Sequence, residues 1–418
     1  MMRRSAQQSQ PHWPRPQRLS VACPLAALAI AGLGALPMAA LAAPAYRQRV
    51  LTNGLRNPRG ITLAGNRLLV SEAGAGGARL PDGSNCILAG SGQEICSGLS
   101  GAIGAWDRGS QTYTRLLNNL PSLAKADGRE GTGIADLAVG GPTGLLGVFG
   151  LGGDPGQANV ANLGSPLFGQ VVSVNLSSGT LQARSNLAAF ELANNPDNKG
   201  FNSNPYALEL FGNRLYATDA GGNSLLTLDP NPDPNNGSFA ILGAFPFPPL
   251  SAPPWPAAVE PVPTGLAVQP TRQQLLIAEL SGFPFAPGVA NTYTTDGASS
   301  PSLSLSGFTL ITDIAAAADG SLYVLEDASN FFAPDGNGSI WRVTADGSRE
   351  RIIRGLTEPT GLAVAADGTL FVTNHSDGLN GELREYTPVP GAVPWLGAFA
   401  AWRQARRLRR RTAKRQPH

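Results

Sequence analysis

Charged residues are scarce in this 418-residue chain, at 14%. Histidine is scarcer still: of three, only His375 lies away from the two ends. A Ser-His-Asp triad would therefore depend entirely on His375, and there is no Gly-x-Ser-x-Gly elbow to hold its nucleophile. With three cysteines, Cys23, Cys86 and Cys96, the chain lacks the clustered thiolates of a zinc knuckle. The Gly-rich strings around Gly74 and Gly150 lack the following lysine or helix of a phosphate loop, which leaves them as turns. Long stretches of good helix formers are also few. What is abundant is glycine (51) and proline (35), a profile of many short strands joined by tight turns.

The formal charge of +2 conceals an uneven distribution. Four of the 31 basic residues lie in residues 1–42 and eight in residues 403–418, and neither segment contains an acid. The body between them carries 19 basic and 29 acidic side chains, a net charge of −10. An acidic body repels phosphate, which excludes nucleic acid as a partner.

Residues 1–42 read as an export signal. Arg3, Arg4, Arg15 and Arg18 precede an apolar stretch from Val21 to Leu41, which closes on Ala40-Leu41-Ala42, a small-x-small cleavage pattern. Cys23 opens the apolar stretch rather than following it, unlike a lipoprotein cysteine. An uncleaved anchor is the alternative. Cys86 and Cys96 then remain, ten residues apart in a Gly/Ser-rich stretch, and in an oxidising compartment such a pair is expected to form a disulfide.

The body, residues 43–388, is organised by a repeat. Pro or Ile is followed by two small or polar residues, alternating aliphatics, a turn, and an apolar run ending in an acid or amide. Copies start at Pro58, Ile134, Pro205, Pro263, Ile311 and Pro359. Each reads as a hairpin whose first strand alternates, as in Gly361-Leu362-Ala363-Val364. Its turn tolerates positive φ, as at Gly212-Asn213, Asp319-Gly320 and Asp367-Gly368. The second strand is almost continuously apolar, as in Leu322-Tyr323-Val324-Leu325, so both its faces must be covered. Such hairpins must stack on one another, and radial closure removes their exposed edges. The expectation is an all-β, six-bladed β-propeller, with a parallel β-helix as the competitor.

One position ends the second strand of every copy: Glu72, Gly150, Asp219, Glu279, Glu326 and Asn374. Superimposed as blades, these would ring one mouth of the channel, with Asn223 and His375 beside them as further ligand-binding candidates. Carboxylates brought together need a cation or shared protons, and oxygen-only donors suit calcium or magnesium. Glu72, Asp219, Glu279 and Glu326 are thus candidate ligands for a divalent cation. Polar strand ends that accept turn N–H groups are the plainer alternative. The cluster Phe245-Pro246-Phe247-Pro248-Pro249 with Phe283-Pro284-Phe285 reads either as an apolar lip or as loop packing.

Several strings carry a family resemblance: Asn57-Pro58-Arg59-Gly60, the Cys86/Cys96 segment, Leu151-Gly152-Gly153-Asp154-Pro155 and Ser203-Asn204-Pro205-Tyr206. They continue with Asp219-Ala220-Gly221-Gly222-Asn223, Glu279-Leu280-Ser281-Gly282-Phe283-Pro284-Phe285 and Pro359-Thr360-Gly361-Leu362. In this order the chain resembles the ScyD/ScyE family over roughly residues 50–387. That family comprises exported NHL-like propellers encoded with biosynthesis of the cyanobacterial sunscreen scytonemin. The resemblance implies a periplasmic or extracellular propeller and offers no catalytic residues to carry over. Residues 389–418 resemble a PEP-CTERM sorting tail: Pro-rich Val389-Pro390-Gly391, an apolar stretch from Val393 to Trp402, and a basic cluster from Arg406 to Arg411. The Pro-Glu-Pro triplet is absent, and the apolar stretch is half the roughly 20 residues of a membrane span. Membrane contact is therefore expected only through the termini, and the alternative is a basic tail attracted to anionic lipid.

The sequence thus favours a binding or scaffold module of the cell envelope, partnered by a small aromatic metabolite or a matrix component and handled by export and sorting machinery. A metal-dependent hydrolase or lactonase at the channel mouth is the enzymatic alternative, and an adhesion or matrix component a third.

Overall fold

The computed structural model describes residues 46–140, 144–229, 240–247, 258–331 and 336–389. The export signal (1–42) and the tail beyond Val389 lie outside the described residues. The described chain is almost entirely β, with one α-helix, Leu187–Asn194, and one 3-10 turn, Ala158–Asn162. No helix among the described residues is long and apolar enough to cross a membrane.

All six hairpins expected from the repeat form. The turns at Gly212, Gly320 and Gly368 have φ of 61°, 85° and 80°, a region glycine enters without a Cβ clash. Each hairpin opens a four-stranded antiparallel unit. Three stand as separate sheets, beginning at Pro205–Phe211, Pro263–Gln269 and Ile311–Ala316. The first two units join into a nine-stranded sheet that includes the short Cys86–Leu88 strand. They meet through two residue pairs, Ser122–Gly133 and Leu123–Thr132. The last unit is completed from the other end of the body: Tyr46–Leu55 pairs antiparallel with Gly381–Pro388, outside Leu370–Asn374 and Leu362–Val364.

The second strand of each copy is the most deeply buried. Every residue of Leu145–Phe149, Leu322–Glu326 and Leu370–Asn374 is buried, because a central strand of a stacked sheet has neighbours on both faces. The core is not one lump but a series of clusters, each drawn from two successive units. Leu69, Ile103 and Leu117 meet Ile134, Leu137 and Val172. Leu146 and Val148 meet Leu208 and Leu215, and Tyr216 and Leu225 meet Leu266 and Ile277. Leu276 and Phe308 meet Ile311 and Val324, and Tyr323 and Ile340 meet Leu362 and Val372. Finally Phe371 and Leu383, from the last unit, pack on Ile61, Val70 and Trp106 of the first. A β-propeller is the result.

Hydroxyls stitch the innermost strands together along the same path. Ser71 Oγ donates to the Ala135 carbonyl at 2.7 Å, Thr218 Oγ1 to Thr264 at 2.7 Å, and Thr264 Oγ1 to Ile311 at 2.8 Å. Thr312 Oγ1 reaches Pro359 at 2.9 Å, and Thr360 Oγ1 returns to Pro58 at 2.8 Å. An innermost strand has one edge without a β-partner; each such hydroxyl satisfies a carbonyl there and sets the spacing of neighbouring units.

Cys86 and Cys96 are joined in a disulfide across the Cys86–Leu88 and Glu94–Asp107 pairing, as the sequence led one to expect. Such a bond points to an oxidising compartment.

Candidate functional site

The strand-end residues singled out from the repeat are buried, and each is engaged by its own unit. Glu72 is 0% exposed. It takes a bidentate pair from Arg115, Nε to Oε1 at 2.7 Å and Nη2 to Oε2 at 2.8 Å, with the Tyr113 hydroxyl and the Arg56 N–H completing its shell. Asp219 Oδ1 accepts the N–H groups of Asn204, Gly221 and Gly222, and Oδ2 accepts Ser203 Oγ. Glu326 accepts the Thr309 N–H, Ser339 Oγ and Trp341 Nε1. Asn374 Oδ1 accepts the Thr357 N–H, and Glu279 Oε2 accepts Asn291 Nδ2. Asn223 bridges loops, accepting from Val262 N and donating to Asp197.

The expected ring of channel-mouth ligands therefore gives way to a different arrangement. The first strand of each copy lines the channel, so the end of the second strand is set back from it. Glu72, Asp219, Glu326 and Asn374 instead cap N–H groups of the segment entering the unit. At Glu279 that segment carries Pro261, which has no N–H; Oε1 has no partner among the described residues, and burial raises the carboxyl to about 7. Among the described residues no three of these carboxylates come within reach of a single cation; the one such group is Cys86, Glu94 and Cys96, whose sulfurs are already bonded to each other. At Gly150 the repeat carries no acid, and the space is filled from elsewhere: a Cβ there would stand 2.6 Å from Asn204 Oδ1 and 2.8 Å from Thr132 Oγ1. His375 occupies a left-handed turn residue (φ 51°) whose N–H is bonded to the Thr357 carbonyl. It is absent from the cavity wall, which its neighbours Ser376 and Asp377 help to form.

The groups that do face the channel were not singled out in the sequence. The six first strands enclose a cavity of about 320 Å³. Asp136, Glu209 and Asp313 line it. The third position of the six copies reads Gly60, Asp136, Ala207, Gly265, Asp313, Gly361. Asp136 accepts the N–H of Leu137 at 2.8 Å and that of Leu208, one unit on, at 3.0 Å. Asp313 repeats this with Ile314 at 2.8 Å and Leu362 at 2.7 Å. Each aspartate follows a glycine in the preceding copy, and the reason is contact. A Cβ on Gly60 would fall 2.2 Å from Asp136 Oδ1, and one on Gly265 2.1 Å from Asp313 Oδ1. Facing channel rather than bulk solvent, these carboxyls are poorly hydrated. Burial raises Asp136 to about 7, and burial with the Asp136 charge raises Glu209 to about 8. Asp313 is raised well above the usual carboxylate range for the same reason.

Where the first strands begin, the channel opens into a cavity of about 770 Å³. One wall is an electrostatic clamp. Arg129 Nε bonds Asp377 at 2.8 Å and its Nη2 bonds Glu358 at 2.9 Å, tying the segment before the second copy to the loops of the last. Lys125 pairs with Glu130 at 3.2 Å. Three other groups remain open. Arg59 donates to the Gly131 carbonyl at 2.6 Å and makes no ion pair among the described residues. The Tyr206 hydroxyl, at the neck shared by both cavities, and the Asp327 carboxylate find no hydrogen-bond partner among the described residues. Burial, reinforced by Glu358 and Asp377 and opposed by Arg59, lifts Asp327 to about 7. Phe331 adds an aromatic wall, stacked on Phe285 at 4.3 Å. The Phe/Pro cluster thus divides: Phe285 packs on Phe331 of the cavity wall with Phe283 (69% exposed) against it, Phe245 is buried against Tyr293, and Pro248 and Pro249 lie outside the described residues.

A β-propeller with a charged mouth cavity is the class that fold and site define. No protein-family model matches the sequence, and no curated protein matches it. Solved structures that resemble it include a gluconolactonase from Xanthomonas campestris, at 15% identity and a TM-score of 0.47, covering 84% of this chain and 93% of that one. A glucose dehydrogenase-type putative oxidoreductase from Thermus thermophilus has 13% identity and a TM-score of 0.47, covering 82% and 99%. A nidogen/laminin complex has 12% identity and a TM-score of 0.42, covering 67% and 84%. Overlaps this loose transfer no activity to the present chain.

Proposed function

We propose that this chain is an exported, six-bladed, NHL-like β-propeller that binds a small aromatic ligand in its mouth cavity and serves the cell envelope without transforming that ligand. The mouth cavity is the observation that carries the reading. Its volume, about 770 Å³, lies within the ~300–1,000 Å³ of small-molecule sites. Its open groups match one ligand class, Arg59 for a carboxylate or phenolate and Asp327 and Tyr206 for hydroxyls, and the Phe331–Phe285 pair adds aromatic surface. Six units are supported by the six hairpins and by the clusters running from each unit to the next and back to the first. Export is supported by the disulfide. The ScyD/ScyE resemblance adds aromatic pigment chemistry, and the tail at 389–418 adds sorting to the envelope; mass spectrometry of the mature protein should find that tail removed.

Calorimetry with a panel of hydroxylated aromatic acids tests the binding role. Binding should weaken at least ~10-fold in Arg59→Ala, the scale of one lost charge-assisted hydrogen bond. A panel without a binder, or equal affinity in the variant, removes this reading.

One observation favours a hydrolytic second reading. Asp327, without a hydrogen-bond partner among the described residues and lifted to about 7, has the poise of a general base near neutral pH. Hydrolysis of simple lactones that rises through about pH 7 and disappears in Asp327→Asn would establish it; a wild-type protein without turnover leaves the binding role alone.

A further inference from the structure

Outside the mouth lies a second group of oxygens, built by the segment that precedes the third copy. The Leu187–Asn194 helix starts on Asn186, whose side chain accepts the Ala189 N–H, and stops at Asn195, in the left-handed region at φ 42°. Its C-terminus is the negative end of the helix dipole. The chain then runs through Asn195-Pro196-Asp197-Asn198 to Asn202-Ser203-Asn204, rich in side-chain carbonyls and carboxylates. This segment folds onto the turn Asp219-Ala220-Gly221-Gly222-Asn223. Asn223 Nδ2 donates to Asp197 Oδ2 at 2.7 Å, and Ser203 and Asn204 both donate to Asp219 at 2.7 Å.

Glu191 points into this junction. It is 2% exposed. A Cβ on Gly222 would lie 2.6 Å from Glu191 Oε2 and 3.4 Å from Asp219 Cγ, and a Cβ on Gly221 2.9 Å from Asn202 Oδ1. Two adjacent glycines thus admit the oxygens of the facing segment. Three buried acceptors there have no donor: Glu191 Oε1, Asn195 Oδ1 and Asn202 Oδ1. The Asn195 amide is oriented by its own Nδ2, which donates to the Lys199 carbonyl at 2.8 Å. The nearby charges are also negative: Asp219 and Asp197 both act on Glu191, and Asp197 acts on Glu260. Lys199 does not neutralise them; its ammonium lies 4.9 Å from the centre of the Phe247 ring.

Two of these acceptor side chains, Glu191 and Asn202, face the adjacent Gly222 and Gly221, and Asn195 ends the helix that carries Glu191; buried acceptors without donors beside several acids call for a cation. No sulfur or imidazole contributes, and donors that are all oxygen, with amide carbonyls among them, suit calcium over the transition metals. We propose that Glu191, Asn195, Asp197 and Asn202 form a calcium site locking this segment to the Asp219–Asn223 turn. Asp219, with four donors on its two oxygens, is saturated and contributes charge and turn geometry. Asp197 accepts one donor on each oxygen, the Lys199 N–H and Asn223 Nδ2, and keeps a lone pair on each for the cation. The site differs from the ring expected from the sequence, and it does not depend on the ligand-binding role of the mouth.

Calorimetry and thermal unfolding of the chelator-treated mature protein test this with calcium alone as the probe. One equivalent of calcium should bind, and ~1 mM calcium should raise the unfolding midpoint by about 5 °C, with magnesium giving less. Glu191→Gln and Asp197→Asn should each weaken calcium at least ~10-fold, while Arg59→Ala, at the mouth, binds it as the wild type does. Should Glu191→Gln fail to fold, Asp197→Asn, on a half-buried loop position, decides alone. Absence of a calcium-dependent shift, or an unchanged shift in Asp197→Asn, overturns the proposal.

Discussion

The carboxylates at the ends of the second strands and those along the channel and mouth belong to the same chemical type but to two regimes. Asp219 accepts hydrogen bonds from Ser203, Asn204, Gly221 and Gly222, and Glu72 is held by Arg115, Tyr113 and Arg56. Asp136 and Asp313, on the channel, accept two backbone N–H groups each, and Asp327, at the mouth, accepts none among the described residues. The gradient follows the architecture. A strand end set back from the channel meets the N–H groups of an entering loop, whereas a first strand meets only its neighbour units and the cavity. Glu279 is the exception among the strand ends, with Oε1 unpartnered among the described residues and its carboxyl raised to about 7 by burial. The other acids of the first kind hold the fold together; those of the second keep unspent capacity for protons or ligands.

Breaking the first regime should have the largest effect. Asp219→Ala leaves three backbone N–H groups and the Ser203 hydroxyl without their acceptor, which should cost about 4 kcal/mol or prevent folding, as urea denaturation would report. Next comes the buried ion pair. Glu72→Gln leaves the Arg115 guanidinium with a neutral partner at a site where Glu72 is 0% exposed. A loss of about 3 kcal/mol is expected by the same measurement, the scale of a broken buried pair.

The channel should show itself through pH. Asp136 and Glu209 have unfolded-state values near 3.8 and 4.5 and folded values of about 7 and 8. Between those limits the folded protein holds more protons than the unfolded chain, so stability falls as pH rises from about 4 to about 8 and levels off above. The stability–pH profile of Asp136→Asn should be flatter over this window, even though that variant is less stable because an amide cannot accept both N–H groups. The smallest effect belongs to the mouth. Asp327→Asn breaks no hydrogen bond among the described residues and removes a charge beside Glu358 and Asp377, so its stability should stay within about 0.5 kcal/mol of wild type or rise slightly.

These two regimes were unequally legible in the sequence. The hairpins could be read because period-two alternation and an apolar run recur at all six starts, with a Gly-containing turn in five of them. The disulfide could be read because Cys86 and Cys96 stand close together. The strand-end acids were recognisable as equivalent positions, but not their orientation. Their partners, such as Arg56, Thr309 and Thr357, stand two residues before the copies they serve and donate through the backbone, which leaves no side-chain signature. Asp136 and Asp313 did leave a signal: an acid in the third position, one copy after a glycine in that position. With an acid in only two of six copies, that signal is fainter than the one at the strand ends, where four of six carry an acid. Asp327 is next to Glu326 in sequence but lies in the bend just past the strand's end, which sends the two side chains to different surroundings. The oxygens around Glu191 come from an insertion that the repeat does not contain, so no copy could predict them.

Side-by-side urea denaturation of Asp219→Asn and Asp327→Asn at pH 8 tests the division between the two regimes most directly. The first variant should lose at least ~2 kcal/mol, since Oδ2 is replaced by an amide that cannot accept or Oδ1 gives up its three N–H groups, while the second loses nothing measurable. Equal losses, or a larger loss for Asp327→Asn, would contradict it.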